Sequence, residues 1–146
     1  MQLTLHTDYA FRALLYLGTQ HPGHLVSTDE ISRSYGISRH HLVRVIQTLS
    51  AAGYVEVNPG RAGGVSLARE PHLIRLGDVM RATEANLRVV ECFDAATNTC
   101  PIMPVCTLQP VLEEALNAFL SVLDRYTLAD LLDGRSRKRL AKILSG

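Results

Sequence analysis

A mainly α-helical fold with one small β hairpin follows from three features of the 146-residue chain. Apolar residues recur at helical spacing, with Leu42, Val45, Ile46 and Leu49 at i, i+3, i+4 and i+7. Two short alternating runs, residues 54–57 and 65–68, flank the glycine-rich link Asn58-Pro59-Gly60-Arg61-Ala62-Gly63-Gly64. A long apolar stripe, Leu112, Ala115, Leu116, Phe119, Leu120, Leu123 and Tyr126, runs opposite Glu113, Glu114, Asn117 and Ser121. At 47% hydrophobic residues the chain can bury one core, which excludes disorder over most of its length.

The elements follow in order. Phe11, Leu14 and Leu15 predict a first helix over residues 9–20, with Thr7 or Asp8 as its cap and His21-Pro22-Gly23 as its end. Ser27 followed three residues later by Glu30 is a capping-box signature, opening a short helix from Thr28 to Ser34 that Gly36 breaks. Ser38 is placed to cap a third helix, which Ala51-Ala52-Gly53 closes. A short helix, a glycine-containing turn and a second capped helix make the layout of a helix-turn-helix. The hairpin directly after it forms a wing, so the fold expected is a winged helix-turn-helix. A further short helix over residues 76–83 turns Leu76, Val79 and Met80 inward, and residues 87–110 are irregular. The long helix after them has little core of its own to cover, so it is expected to be a dimerisation helix packing on a second copy. Thr127 caps a short helix over residues 128–132, and residues 135–142 read as a solvated basic tail. The organisation expected is therefore a DNA-binding unit over 1–86, a cysteine loop over 87–110, the dimerisation and short C-terminal helices over 111–133, and a tail over 134–146.

The net charge of +1 hides an uneven distribution. Residues 33–69 hold five arginines against Glu56 alone, whereas residues 78–133 hold nine carboxylates against three arginines. Only the first stretch is suited to an anionic partner. On the third helix the residues outside the apolar stripe are Arg39, His40, His41, Arg44 and Gln47, types that pair with guanine, adenine or phosphate. A solvated helix face would carry the same residues. The capping signals and the wing favour double-stranded DNA, with Thr28 and Ser38 at helix starts, Arg61 at the wing tip, and Gly63 and Gly64 letting backbone approach phosphates. His40 and His41 project about 100° apart, so they do not chelate one ion together. An aromatic content of 5% disfavours base stacking as the binding mode. No run of eighteen apolar residues and no signal-peptide pattern occur, so a cytoplasmic protein without a membrane span is expected. No nucleophile and base are arranged as in an enzyme.

Cys92, Cys100 and Cys106 fall in the irregular stretch with the spacing C-x7-C-x5-C. An odd number of cysteines in a reducing compartment argues against a disulfide framework and for metal binding or a reactive thiol. Zinc sites use tight C-x2-C pairs more often, and wider spacing suits an iron-sulfur cluster; a zinc site and a redox disulfide switch stay open.

Together, LTLHTDYAFRALLYL, ISRSYGISRHHLVRVIQTLSAAGYVEVNPGRAGGVSLA, IRLGDVMRATE, the three-cysteine loop and YTLADLL resemble the winged-helix iron-sulfur regulators that include IscR and NsrR. Within that family the chain is most similar to the nitric-oxide-sensing repressors, although its first cysteine gap is longer than in several relatives. The resemblance implies a homodimer on an imperfect palindrome, with two recognition helices roughly 34 Å apart. It also implies a cluster on Cys92, Cys100 and Cys106 that senses nitric oxide, whose reaction releases the operator. In the IscR-like branch a histidine soon after the third cysteine goes with a 2Fe-2S centre; here Thr107 and Leu108 follow Cys106 and no histidine occurs beyond His72. The implied group is a 4Fe-4S cluster, with Asp8 of the partner subunit as fourth ligand and Arg12 beside it. Asp8 at a helix start, with Arg12 one turn on, is equally what a dipole-stabilising carboxylate and its salt bridge would look like.

Overall fold

The computed structural model describes residues 2–144. The first helix, α1 (Leu5–Thr19), begins four residues ahead of the expected start. Thr4, not Thr7 or Asp8, is its cap: the Thr4 hydroxyl accepts from the Thr7 N–H at 3.3 Å, and Thr7 itself is buried. Asp8 lies in the first turn, where its charge complements the helix dipole. Ala10, Ala13, Leu14 and Leu17 form the buried stripe.

In α2 (Thr28–Tyr35), Ser27 accepts from the Glu30 N–H at 3.1 Å, and Gly36 ends the helix in the left-handed conformation at φ 63°. The reciprocal half of the capping box is missing, because the Glu30 carboxylate instead accepts from the Tyr16 hydroxyl at 2.8 Å. The next helix, α3 (Arg39–Ala51), buries Leu42, Val45, Ile46 and Leu49 as expected. Ser38 precedes it but makes no side-chain capping bond.

Strands β1 (Val55–Asn58) and β2 (Gly64–Leu67) pair antiparallel, with Val55 opposite Leu67 and Asn58 opposite Gly64. Val65 also exchanges backbone hydrogen bonds of 3.0 and 2.8 Å with Val26, stitching the wing to the link between α1 and α2. Helix α4 (Leu76–Thr83) turns Leu76, Val79 and Met80 inward as expected. The segment that follows contains two single 3-10 turns, Glu91–Phe93 and Met103–Val105.

The long helix α5 (Leu108–Asp124) starts inside the stretch expected to be irregular. Arg81 of α4 grips its Asp124 in a two-pronged ion pair of 2.6 and 2.8 Å. The chain then returns to the core. Leu128 of α6 (Leu128–Leu131) is 1% exposed and donates its N–H to the Ile74 carbonyl at 2.8 Å.

The stretch expected to be a solvated tail is a helix, α7 (Gly134–Leu144). The Asp133 carboxylate accepts from the Ser136 N–H at 2.8 Å, and Arg137 donates to the carbonyls of Thr19 and Gln20 at the end of α1. Leu144 is buried in the cluster that also holds residues of α1, α2, α3 and α6. Ser145 and Gly146, counted with the expected tail, and Met1 lie outside the described residues.

Candidate nucleic-acid interface and metal-binding loop

The face of α3 opposite its apolar stripe exposes Arg39, His40, His41, Arg44 and Gln47, so the structure gathers on one side all five residues singled out from the sequence. They differ in what they touch. Arg39 donates through Nε to Asp29 Oδ1 at 2.6 Å, which ties the first residue of α3 to the second of α2. The His41 ring lies 6.4 Å from the Tyr9 ring and 6.3 Å from that of His40, measured between centroids. Thr48 donates its hydroxyl to the Arg44 carbonyl at 3.2 Å and lies 3.0 Å from His6 Nε2. Helix α1 therefore braces the recognition helix along its length through His6 and Tyr9. Sequence reasoning passed over His6, Tyr9 and Asp29. Asp29 and Arg39 are ten residues apart across a turn, a separation that no helical or strand period flags.

Thr28 is half-buried at the start of α2 and Ser38 is exposed ahead of α3. Arg61 is exposed at the wing tip. Glycine at 63 and 64 is already required by the hairpin: a Cβ at Gly63 would fall on the Asn58 carbonyl oxygen, and one at Gly64 would come within 2.8 Å of the Val26 carbonyl oxygen. Arg69, one of the five arginines in the basic stretch, is spent internally. It donates to the Ala52 carbonyl at 3.1 Å and lies 5.0 Å over the Tyr54 ring.

The cysteine segment is braced around Asp94. Its carboxylate accepts from the Ala96 N–H at 3.1 Å and the Thr97 hydroxyl at 3.0 Å and pairs with Arg88 at 2.6 Å, contacts that hold it below the usual carboxylate range, the Ala96 bond most. Asn98 accepts from the Cys100 N–H at 3.0 Å. Cys92 lies within the first 3-10 turn, Cys100 precedes Pro101, and Cys106 follows the second 3-10 turn, just ahead of α5. All three are half-buried free thiols. Among the described residues, no three His, Cys, Asp or Glu side chains are gathered into a metal-sized group. The donor set nonetheless fits an iron-sulfur cluster in kind, with three soft sulfurs on one segment of largely irregular backbone.

Asp8 pairs with Arg12 at 2.7 Å, so within one chain the salt bridge is the contact made. The Arg12 guanidinium also lies 5.8 Å from the centre of the Tyr9 ring and 6.0 Å from that of Tyr35. Tyr35 meets Tyr16 edge-on, and burial, reinforced by the bond to Glu30, raises the Tyr16 phenol above its ordinary value and keeps it a donor. These contacts run without a break from Asp8 into both helices of the helix-turn-helix. Near the start of the acidic stretch, Glu84 accepts from the Thr4 N–H at 2.8 Å and its hydroxyl at 3.2 Å. That bond holds the start of α1 at the point where the chain departs for the cysteine segment.

On α5 most of the expected stripe faces its own chain: Leu120 is buried and Leu112, Leu116, Phe119 and Leu123 are half-buried, whereas Ala115 and Tyr126 are exposed. The outward seam is the neighbouring one, Leu108, Val111, Ala115, Ala118 and Val122, spaced alternately by three and four residues. Leu108, Val111 and Val122 are 60%, 58% and 43% exposed. No helix among the described residues is long and apolar enough to cross a membrane.

The sequence profile of the Rrf2 family, described as an iron-dependent transcriptional regulator, matches residues 3–134. The HTH-type transcriptional regulator NsrR of Bacillus subtilis is 46% identical over 144 residues, covering 99% of this chain and 97% of the relative. Its namesake in Geobacillus kaustophilus is 48% identical over 139 residues, 95% of each chain. Among solved structures, T. potens IscR is similar with a TM-score of 0.70 at 27% identity, over 90% of this chain and 86% of that one. CymR, the global cysteine regulator of B. subtilis, is similar with a TM-score of 0.69 at 25% identity, over 90% of this chain and 95% of that one.

Proposed function

The chain belongs to the Rrf2 family of transcriptional regulators, and we propose that it is a homodimeric, DNA-binding repressor that senses nitric oxide through a 4Fe-4S cluster and then releases its operator. The observation that supports this reading most is the α1 helix. It carries Asp8, meets the recognition helix through Tyr9 and His6, and is hooked by Glu84 at the departure of the three-thiol loop. These contacts give a route by which a change at that loop or at Asp8 would reach α3. The near full-length similarity to regulators named NsrR supports nitric oxide as the signal, and the iron dependence in the family's description supports iron over zinc.

In this reading residues 1–86 bind DNA, residues 87–110 hold the cluster, and α5 pairs two subunits through Leu108, Val111, Ala115, Ala118 and Val122. The operator is an imperfect palindrome with half-sites about one helical turn apart. Arg39, His40, His41, Arg44 and Gln47 enter the major groove, Thr28 and Ser38 meet the backbone at helix starts, and Arg61 follows the wing beside Gly63 and Gly64. Cys92, Cys100 and Cys106, together with the partner subunit's Asp8, would hold the cluster. Bound there, the cluster would offer at its carboxylate-held position a ligand that exchanges more readily than a thiolate, and so a point of attack for nitric oxide. Arg12 is the chain's own counterpart to Asp8. Arg12 pairs with Asp8 at 2.7 Å while lying 5.8 Å and 6.0 Å from the Tyr9 and Tyr35 rings, so those ring contacts would be what holds it in place were Asp8 drawn away as a ligand. Two states of α1 with different operator affinities are what the coupling requires.

The test is the visible absorbance, iron and sulfide content of anaerobically purified protein, before and after stepwise nitric oxide, with operator binding followed in parallel. A brown protein that bleaches and lets go of DNA is expected. A colourless zinc protein indifferent to nitric oxide, or a Cys100→Ala variant that keeps nitric-oxide-sensitive binding, overturns the reading.

A further inference from the structure

Arg39 sits where helix stability alone would not put it. It is the first residue of α3, at the positive end of the helix dipole, on a helix whose first turn has no acidic residue and whose preceding Ser38 gives no side-chain cap. A cation there is unfavourable, and its ion pair with Asp29, whose side chains are 68% and 52% exposed, is too open to water to repay it. A local rule broken on the exposed face of a recognition helix points to function.

The atoms of the contact say which function. Asp29 Oδ1 takes Nε, at 2.6 Å, and leaves both terminal nitrogens of the guanidinium unengaged by it. Those two nitrogens form the fork that matches O6 and N7 of guanine. An untethered arginine on a protein surface is free to swing to the nearest phosphate, a contact that carries no sequence information. Held at Nε, it keeps one orientation and loses less rotamer freedom when a base edge arrives. The acidic partner acts in the same direction, because a carboxylate close to the duplex repels phosphate and is tolerated only while Arg39 neutralises it.

We infer that Asp29 is a positioning residue for base recognition: it aims the Arg39 fork at a guanine in the major groove of each half-site and penalises docking on DNA that lacks one. This rests on the DNA-binding reading above. It adds to that reading a residue on α2 that itself contacts no base.

The signature is a pair of effects with opposite signs. The anaerobically purified full chain is used to enrich binding sites from randomised duplexes, and affinities are then measured for the selected operator, for its single base-pair variants and for random-sequence DNA. Wild type should enrich a dyad with one fixed G·C pair per half-site that Arg39→Lys no longer requires, since lysine keeps the charge and lacks the fork. Asp29→Asn should lose about tenfold of the discrimination at that same pair while its affinity for random-sequence DNA holds or rises. The double variant should discriminate no worse than Arg39→Lys alone. Unchanged thermal unfolding of Asp29→Asn separates these effects from damage to the fold, and a merely structural Asp29 would instead weaken all DNA alike. Full discrimination in Asp29→Asn overturns the inference, as does an Arg39→Ala variant that weakens every sequence equally and flattens the salt dependence, the mark of a phosphate contact. Wild type that enriches no sequence at all would bring down the DNA-binding reading itself, and the inference with it.

Discussion

Leu42 has no exposed surface, although its immediate neighbours Arg39, His40 and His41 are all exposed. That contrast is what a recognition helix needs, since the polar face is held still by the apolar one. Truncating Leu42 to Ala should cost about 3 kcal/mol of unfolding free energy, read from denaturant midpoints at an unchanged slope. His41→Ala should cost far less stability than that, through its contact with Tyr9, and show its main loss in DNA affinity. Both sides of α3 were legible in the sequence, because a 3.6-residue period separates them unambiguously. The residues that brace it were not. Tyr9 and His6 reach α3 from another helix, and Asp29 reaches Arg39 across a turn, so each contact exists only once the helices have packed. The glycines of the wing teach the converse. Gly63 and Gly64 stood out in the sequence as places for phosphate to approach, yet the Asn58 and Val26 carbonyls already exclude a side chain there.

Helix ends and the last helix are where element and sequence part company. Two threonines compete to open α1. Thr7 looks right because the apolar period is clear only after it, while Leu3 and Leu5, before it, are exposed and so belong to no stripe. Thr4 is selected by a contact 80 residues away, the bond from Glu84. The basic composition of α7 likewise reads as a solvated end, and nothing within it shows what it covers. Its order comes from α1, whose last turn has no cation of its own and whose terminal carbonyls receive Arg137. A chain ending at Asp133 should therefore lose roughly 2 to 4 kcal/mol, visible as a lower thermal midpoint, from exposing the ground under Leu144 and orphaning those carbonyls. An unchanged midpoint would return the segment to a solvated tail.

At the scale of the whole molecule, the outward seam of α5 is built for close approach, with Ala115 and Ala118 between larger residues. In the proposed dimer, Val111→Glu combined with Ala118→Glu should give a monomer in sedimentation equilibrium, and operator affinity should fall as the proposed two half-sites are no longer read together. The single-chain fold should survive, since that seam is exposed. The response to acid is also a property of the whole. Asp94, Asp124, Asp130 and Asp133 are all held below the usual carboxylate value, chiefly by hydrogen bonds from Ala96, Arg81, Thr127 and Ser136. The native state thus binds fewer protons than the unfolded one, and the stability these groups contribute is complete above the ordinary carboxylate pKa and lost as pH falls below it. Thermal midpoints should decline from about pH 4 downward as these carboxylates take up protons; a midpoint flat to pH 3 would contradict this. The clasp between α1 and α7, finally, has a consequence for biosynthesis. Arg137 meets a carbonyl 118 residues upstream, so a nascent chain holds its first helix half-covered until Arg137 has left the ribosome. A regulator built this way gains its fully braced reading head only once Arg137 is available to it, and a product cut short before that residue lacks the clasp on that head.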